Sequence, residues 1–174
     1  KSTAAALDFA ATMATASRVL APYDAKWPGL SQRMLAAAQA AWRWAEAHPN
    51  VVFKNPKDVV TGEYGDAQLA DEFAWAAAEL FIATGQNNYA QAFMRRDAAL
   101  STPGWDNVAA LGWMSLAHHR GRLKPGIDRV LIERRIDALA SQLAKHADGG
   151  YRVPLASKDI VWGSNAVVLN QGMM

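Results

Sequence analysis

Between Thr61 and Phe81 a glycine-punctuated acidic segment, Thr-Gly-Glu-Tyr-Gly-Asp-Ala-Gln-Leu-Ala-Asp-Glu, runs straight into the apolar stretch Phe-Ala-Trp-Ala-Ala-Ala-Glu-Leu-Phe. Gly62 and Gly65 permit tight turns, and Glu63, Asp66, Asp71 and Glu72 crowd carboxylates around a helix start. Their repulsion can be offset in two ways. The free N–H groups and macrodipole of a helix start welcome acidic side chains, which makes them ordinary capping residues. A hard cation with oxygen ligands would do the same. Carboxylates of this kind, Glu79 included, are also the residue type that general acid–base chemistry uses. The residues alone leave these readings open.

Other chemistry-bearing residues point away from a transition-metal site. Cysteine is absent, which removes disulfides and cysteine-ligated zinc from this stretch. His48 and His146 fall near helix ends, and His118 and His119 are adjacent, so that they are expected on different helix faces. None has the i, i+4 spacing of a helical zinc pair.

A formal net charge of +2 with scattered Lys and Arg gives no nucleic-acid footprint, and no apolar run is long enough for a membrane span. With 51% hydrophobic and 20% charged residues the chain has the composition of one globular, domain-sized unit. No signal-peptide pattern opens it.

The periodicity is helical throughout. Ala6, Leu7, Ala10, Met13 and Ala14 define a first helix that Thr3 is expected to cap and Ala21-Pro22 to stop. Ser31 is expected to cap a second, over about 32–48. A third covers about 71–84 and is closed by Gly85, a short fourth starts at Asn88, and a fifth spans about 107–118. The sixth runs from near Pro125 to His146, and a seventh follows Gly163. Short turns marked by Gly or Pro predict stacked antiparallel helix pairs, in a superhelix or a closed toroid. Two longer connections, about 49–70 and 148–163, are expected to be functional.

Four segments, in order, resemble glycoside hydrolase family 9, the inverting endoglucanases and related cellulases. They are Ser2–Val19, Gly62-Glu-Tyr-Gly-Asp66 with Asp71-Glu-Phe-Ala-Trp-Ala-Ala-Ala-Glu-Leu80, Trp105-Asp-Asn107, and Tyr151-Arg-Val-Pro154 leading to Trp162-Gly-Ser-Asn165. The resemblance covers essentially all of residues 1–174. It implies an all-α fold that is part of an (α/α)6 barrel, a toroid of six helical hairpins, with no second domain.

What the resemblance implies for function is specific. The catalytic Asp-Ala-Gly-Asp, His-containing and Asn-Glu segments of the family do not occur in these residues. The chain is therefore expected to be an internal portion of the catalytic domain, inactive and poorly stable alone, with the remaining segments of that domain as its partners. No catalytic residue is assigned within it. A structural Ca2+ is expected at Asp71 and Glu72, with an oxygen from Asp106 linking the fifth helix to the third and Asp66 as a further ligand. For Asp71 and Asp106, helix capping is the alternative.

Tyr64 and Trp162 match cleft positions and are expected to stack on the sugar rings of a β-glucan polysaccharide or oligosaccharide. The arginine that relatives often carry four residues after that tryptophan is Ala166 here. Trp42, Trp44, Trp75 and Trp113 are expected in the core, with Trp75 beneath the calcium loop. Secretion or a periplasmic location is implied for the whole enzyme. Another (α/α)-toroid carbohydrate-active enzyme and a helical-repeat binding module are the competing readings. The second would show a repeat near 34 residues, which is absent.

Overall fold

A computed structural model describes residues 1–63, 65–96, 98, 100–104, 106–148, 152–157, 160 and 163–174. Among these the secondary structure is entirely helical: α1 (Thr3–Leu20), α2 (Leu30–Ala47), α3 (Ala70–Thr84), α4 (Asn87–Arg95), α5 (Ala109–His119), α6 (Arg129–His146) and α7 (Ser164–Gly172), with one 3-10 turn at Ala21–Tyr23.

Two of the expected caps move by one or two residues for identifiable reasons. Ser2, not Thr3, caps α1, its Oγ accepting from the Ala5 N–H at 3.4 Å. Thr3 is the first helical residue. Its buried hydroxyl donates to the His48 carbonyl and accepts from the Val51 N–H at 2.9 Å, so it pins the end of α2 beside the start of α1. At α2 the chain turns through Gly29 in the left-handed region, φ 69°, and the Ser31 hydroxyl donates to the Ser17 carbonyl of α1 at 2.8 Å. Both hydroxyls therefore serve the α1–α2 interface instead of their own helix ends. Gly85 closes α3 as expected, with φ 68° and its N–H on the Phe81 carbonyl.

These contacts fix direction. Thr3 at the start of α1 meets the end of α2, and Ser17 near the end of α1 meets its start, so the pair is antiparallel. The α3 and α5 helices run parallel to each other. Asp71 at the start of α3 reaches Val108 at the start of α5, and Glu79 further along α3 reaches Ser115 further along α5. Arg18 near the end of α1 pairs with Glu79, and Asp8 early in α1 lies within reach of the Asp71 charge at the start of α3, which sets α1 parallel to both. One layer is thus α1, α3 and α5, packed side by side, with α2 behind α1, α4 behind α3 and α6 behind α5. This is the inner and outer alternation of an (α/α)6 barrel over part of its circumference.

Alanine makes the inner layer possible. Ala10, Ala11, Ala14, Ala74, Ala76, Ala77, Ala78 and Ala110 are fully or almost fully buried, and small side chains let helix axes approach closely. At Gly112 of α5 an added Cβ would lie 3.2 Å from the Trp75 Cα and 3.3 Å from the Ala78 Cβ, close enough that α3 would have to shift by a few tenths of an ångström to admit it. Bulk is concentrated between the layers, where Trp42 meets Phe73 and Tyr89 edge-on, each at 5.7 Å between centroids, and Phe93 meets Trp113 at 4.8 Å.

Trp42 and Trp113 are core residues as their spacing predicts. Trp44 is not: it is half-buried, stacked on His48 with rings 4.5 Å apart and Lys1 over its face. Alanine neighbours made it look apolar on all sides, but a helix in an outer layer buries only one stripe.

Parallel inner helices sort the connections. Segments 48–69, 96–108 and 147–163 each lead into the start of α3, α5 or α7, while the shorter 21–29, 85–86 and 120–128 leave the ends of α1, α3 and α5. The long segments preceding α3 and α5 therefore share one rim, and Asn170 of α7 joins it by donating to the Pro103 carbonyl at 2.8 Å.

Candidate functional site

The rim that carries the long connections holds an acidic cluster in which Asp71 and Glu72 are buried and Asp66 is half-buried. One carboxylate oxygen each from Asp66, Asp71 and Glu72 lies within 4.8 Å of the others. The cluster follows from a local turn and a helix start. Asp66 accepts from the Gln68 N–H at 2.8 Å through Oδ1, which turns the chain toward Leu69, whose carbonyl receives the Phe73 N–H as α3 begins. Asp71 and Glu72 then occupy the first turn of α3. Glu63, the remaining acid of the segment, is exposed and turned away, accepting from the Asn55 N–H at 2.7 Å.

Asp71 does cap a helix, but not its own. Its Oδ2 accepts from the Val108 N–H at 2.8 Å, at the start of α5. The tie between the third and fifth helices expected from Asp106 is thus made by Asp71. Asp106 is exposed, and Asn107 does the local capping there by accepting from the Ala109 N–H at 3.2 Å.

Burial without partners sets the electrostatics. Glu72 is 1% exposed, and its Oε2 has no hydrogen-bond partner; Oδ2 of Asp66 is likewise buried and unpartnered. Burial pushes the Glu72 carboxyl up to about 8, helped by a hydrogen bond to Asp71 and by the charges of Asp71 and Asp66. A proton or a cation must therefore accompany these groups. The donor set, all carboxylate oxygen with lone pairs to spare, fits a hard divalent cation and gives soft metals no preferred ligand.

Because the folded protein keeps the Glu72 proton to higher pH than the unfolded chain, the metal-free fold is favoured by acid. That contribution is lost as pH rises from the ordinary value of 4.5 through about 8. In chelator the melting temperature of wild type is expected to fall between about pH 5 and about pH 8.5 more than that of Glu72→Gln, and saturating calcium should flatten the difference. Thermal melts across that range check it.

Sequence reasoning missed Asp8. It lies in α1 with its Oδ1 buried and unpartnered, and its carboxyl is raised to about 6 by burial and by the Asp71 charge. In the sequence it is a single acid in an alanine-rich helix, with nothing to connect it to Asp71.

Tyr64 and Trp162, the two expected sugar platforms, lie outside the described residues, as does Trp105. Trp75 is half-buried and packs against the core. Its indole N–H points along α3 to Glu79 Oε1 at 3.3 Å. A cavity of about 420 Å3 opens near the other ends of the inner helices, among Thr15, Arg18, Ile82, His118, His119 and Arg122. The two histidine rings are 4.9 Å apart, closer than adjacency on a helix suggested, with His119 Nδ1 at 2.9 Å from the Ser115 carbonyl.

Comparison with known proteins places this arrangement. The model of glycosyl hydrolase family 9 matches residues 1–174. The xyloglucan-specific endo-beta-1,4-glucanase BoGH9A of Bacteroides ovatus is 39% identical over 193 residues, covering 99% of this chain and 32% of that protein. Endoglucanase C of Cellulomonas fimi is 38% identical over 179 residues, covering 97% of this chain and 16% of that protein. Among solved structures, a single mutant of a thermostable endoglucanase from Alicyclobacillus acidocaldarius superposes with a TM-score of 0.86 at 36% identity, over 99% of this chain and 32% of that one. The chain thus spans about a third or less of the length of these relatives.

Proposed function

Because the chain belongs to glycosyl hydrolase family 9, we propose that its residues are an internal portion of one (α/α)6 catalytic domain whose whole hydrolyses β-1,4-glucosidic bonds by inversion. The observation that carries this reading, beside family membership, is the rim: long connections converge on one end of parallel inner helices, where a carboxylate trio with unpartnered buried oxygens on Asp66 and Glu72 gathers at the start of α3. An open rim of this kind suits an extended polysaccharide better than a small ligand, for which a closed apolar pocket is the usual answer.

Asp66, Asp71 and Glu72 would hold a calcium ion, and Asp106 would contribute if its loop turned inward. The ion would supply charge neutralisation and rigidity to the rim, with no part in the bond cleavage. Asp71 already bridges α3 to the α5 start, so whatever holds its carboxylate also holds the loop at 104–108. Inverting hydrolysis needs one carboxylic acid for the leaving oxygen and one carboxylate for the water, set apart on opposite faces of the sugar. None of the described acids is proposed for either role; both are assigned to segments of the domain outside these residues. Export to the periplasm or the medium, where the polymer is found, completes the proposal.

The test is hydrolysis by the full-length protein of carboxymethyl cellulose, mixed-linkage glucan and xyloglucan, beside the 174-residue chain alone. The full-length protein should release reducing ends from at least one polymer, and the chain alone from none. Turnover by the chain alone, abolished by altering one of its own carboxylates, would place the chemistry inside it.

Tyr64 and Trp162 are proposed as sugar platforms in the cleft. Trp162→Ala should raise KM roughly ten-fold for oligosaccharides long enough to reach that subsite, with little change for shorter ones. Kinetics on cello-oligosaccharides of increasing length, with thermal melts, check this. A sharp drop in melting temperature with unchanged length dependence would make Trp162 a packing residue.

A further inference from the structure

Among the described residues, three carboxylate oxygens at this rim are buried without a hydrogen-bond partner: Asp66 Oδ2, Glu72 Oε2 and, on a different helix, Asp8 Oδ1. The first two belong to the trio already described. Asp8 comes from α1, which packs along α3, and it is close enough to feel the charge of Asp71. It is not one of the three groups whose oxygens already converge within 4.8 Å. Its neighbours along the helix, Leu7, Ala4 and Ala11, are buried core residues, so Asp8 occupies the edge of the α1–α3 seam and not an open solvent face.

A lone half-buried aspartate with no donor is an expensive choice for a helix interior, where alanine would pack and favour the helix. The charges acting on Glu72 are those of Asp71 and Asp66, and the charge acting on Asp8 is that of Asp71. Such an arrangement is repulsive in the metal-free protein, and a divalent ion among the inner three cancels most of their charge and is itself attracted by the Asp8 carboxylate, so the Asp8 charge costs the empty site and favours the filled one.

We propose that Asp8 is a fourth, outer carboxylate of the cation site, a positioning residue that strengthens calcium binding through its charge on the Asp71 side and thereby joins α1 to the α3–α5 pair. The proposal rests on the reading of Asp66, Asp71 and Glu72 as a cation site. It predicts effects of opposite sign in the two states of the protein. Without metal, Asp8 is one of several like charges held together, and its removal relieves the fold. With metal, its removal weakens the hold on the ion.

The experiment is calorimetric titration of calcium into chelator-treated full-length protein, with melts of each form in chelator and in excess calcium. Wild type should bind one calcium at this site. Asp8→Asn, which keeps shape and removes charge, should bind it at least about ten-fold more weakly, as changes in groups around metal ligands do. Its metal-free form should melt higher than metal-free wild type. Asp8→Glu, which restores the charge, should recover most of the affinity.

Unchanged affinity in Asp8→Asn, with binding abolished in Glu72→Gln, would overturn the role of Asp8 and leave the cation site standing. Loss of melting temperature in both chelator and calcium with unchanged affinity would make Asp8 a structural polar residue and overturn it equally. No calcium uptake by wild type would sink the cation reading itself, and the proposal with it.

Discussion

Glu79→Ala is expected to destabilise the fold by about 3–5 kcal/mol, the range seen when one partner of a buried ion pair is removed. Glu79 is 2% exposed in the middle of the inner layer, and three donors converge on its carboxylate: Arg18 Nη2 from α1, the Trp75 indole N–H, and the Ser115 hydroxyl from α5. A second guanidinium nitrogen of Arg18 donates to the Glu79 carbonyl at 2.9 Å. Alanine would leave a mostly buried guanidinium and two further donors without an acceptor, and a cavity where the side chain stood. For a domain of more than 150 residues this corresponds to a drop in melting temperature on the order of 10 °C. Glu79→Gln should lose less, because the amide oxygen still accepts. A double change that removes charge from both sides, Arg18→Met with Glu79→Leu, should recover a substantial part of the loss. Thermal or urea unfolding of the four proteins measures it. If Glu79→Ala melts within a degree or so of wild type, the network is ornamental.

Removing the cation is expected to be of similar size. A ligand that binds only the folded state stabilises it by about 4 kcal/mol when present at a thousand times its dissociation constant. Because the unfolding entropy grows with chain length, chelation of the full-length protein should therefore lower its melting temperature by roughly 4 °C or more. Asp71→Ala and Glu72→Ala should mimic the chelator and become indifferent to added calcium. Asp71→Ala should lose more than Glu72→Ala even in chelator, because it also strips the Val108 N–H of its acceptor. A wild-type melting temperature that ignores both chelator and calcium would mean that the trio holds a proton and no metal.

The order of the helices was legible because it depends on local chemistry. The apolar period of α1, the glycine after Thr84 and the long stretch before Ala70 are all visible within a few turns of chain, and each corresponds to an element or a boundary in the structure. What could not be seen were contacts made across the sequence. Asp8 and Asp71, Arg18 and Glu79, and Glu79 and Ser115 meet only because parallel inner helices place equal heights side by side. The caps show the same limit: Thr3 and Ser31 have the right residue type for an N-cap, and tertiary partners at His48, Val51 and Ser17 claimed their hydroxyls instead. Trp44 was misread because alanine neighbours hide which stripe of a helix faces outward.

Asp66, Asp71 and Glu72 were recoverable as a group because a turn and a helix start bring them together within a few residues. Asp106, further along and on a separate loop, is exposed at the same rim and apart from that group.

The measurement that bears most directly on the central claim is proton NMR of a β-1,4-linked oligosaccharide or soluble glucan during the first minutes of digestion by the full-length protein, before mutarotation equilibrates the products. Inverting hydrolysis by a family 9 enzyme predicts that the α-anomer of the new reducing end appears first and the β-anomer grows in later. First appearance of the β-anomer, or no cleavage of any β-1,4-glucan by an intact, calcium-loaded protein, would contradict the account.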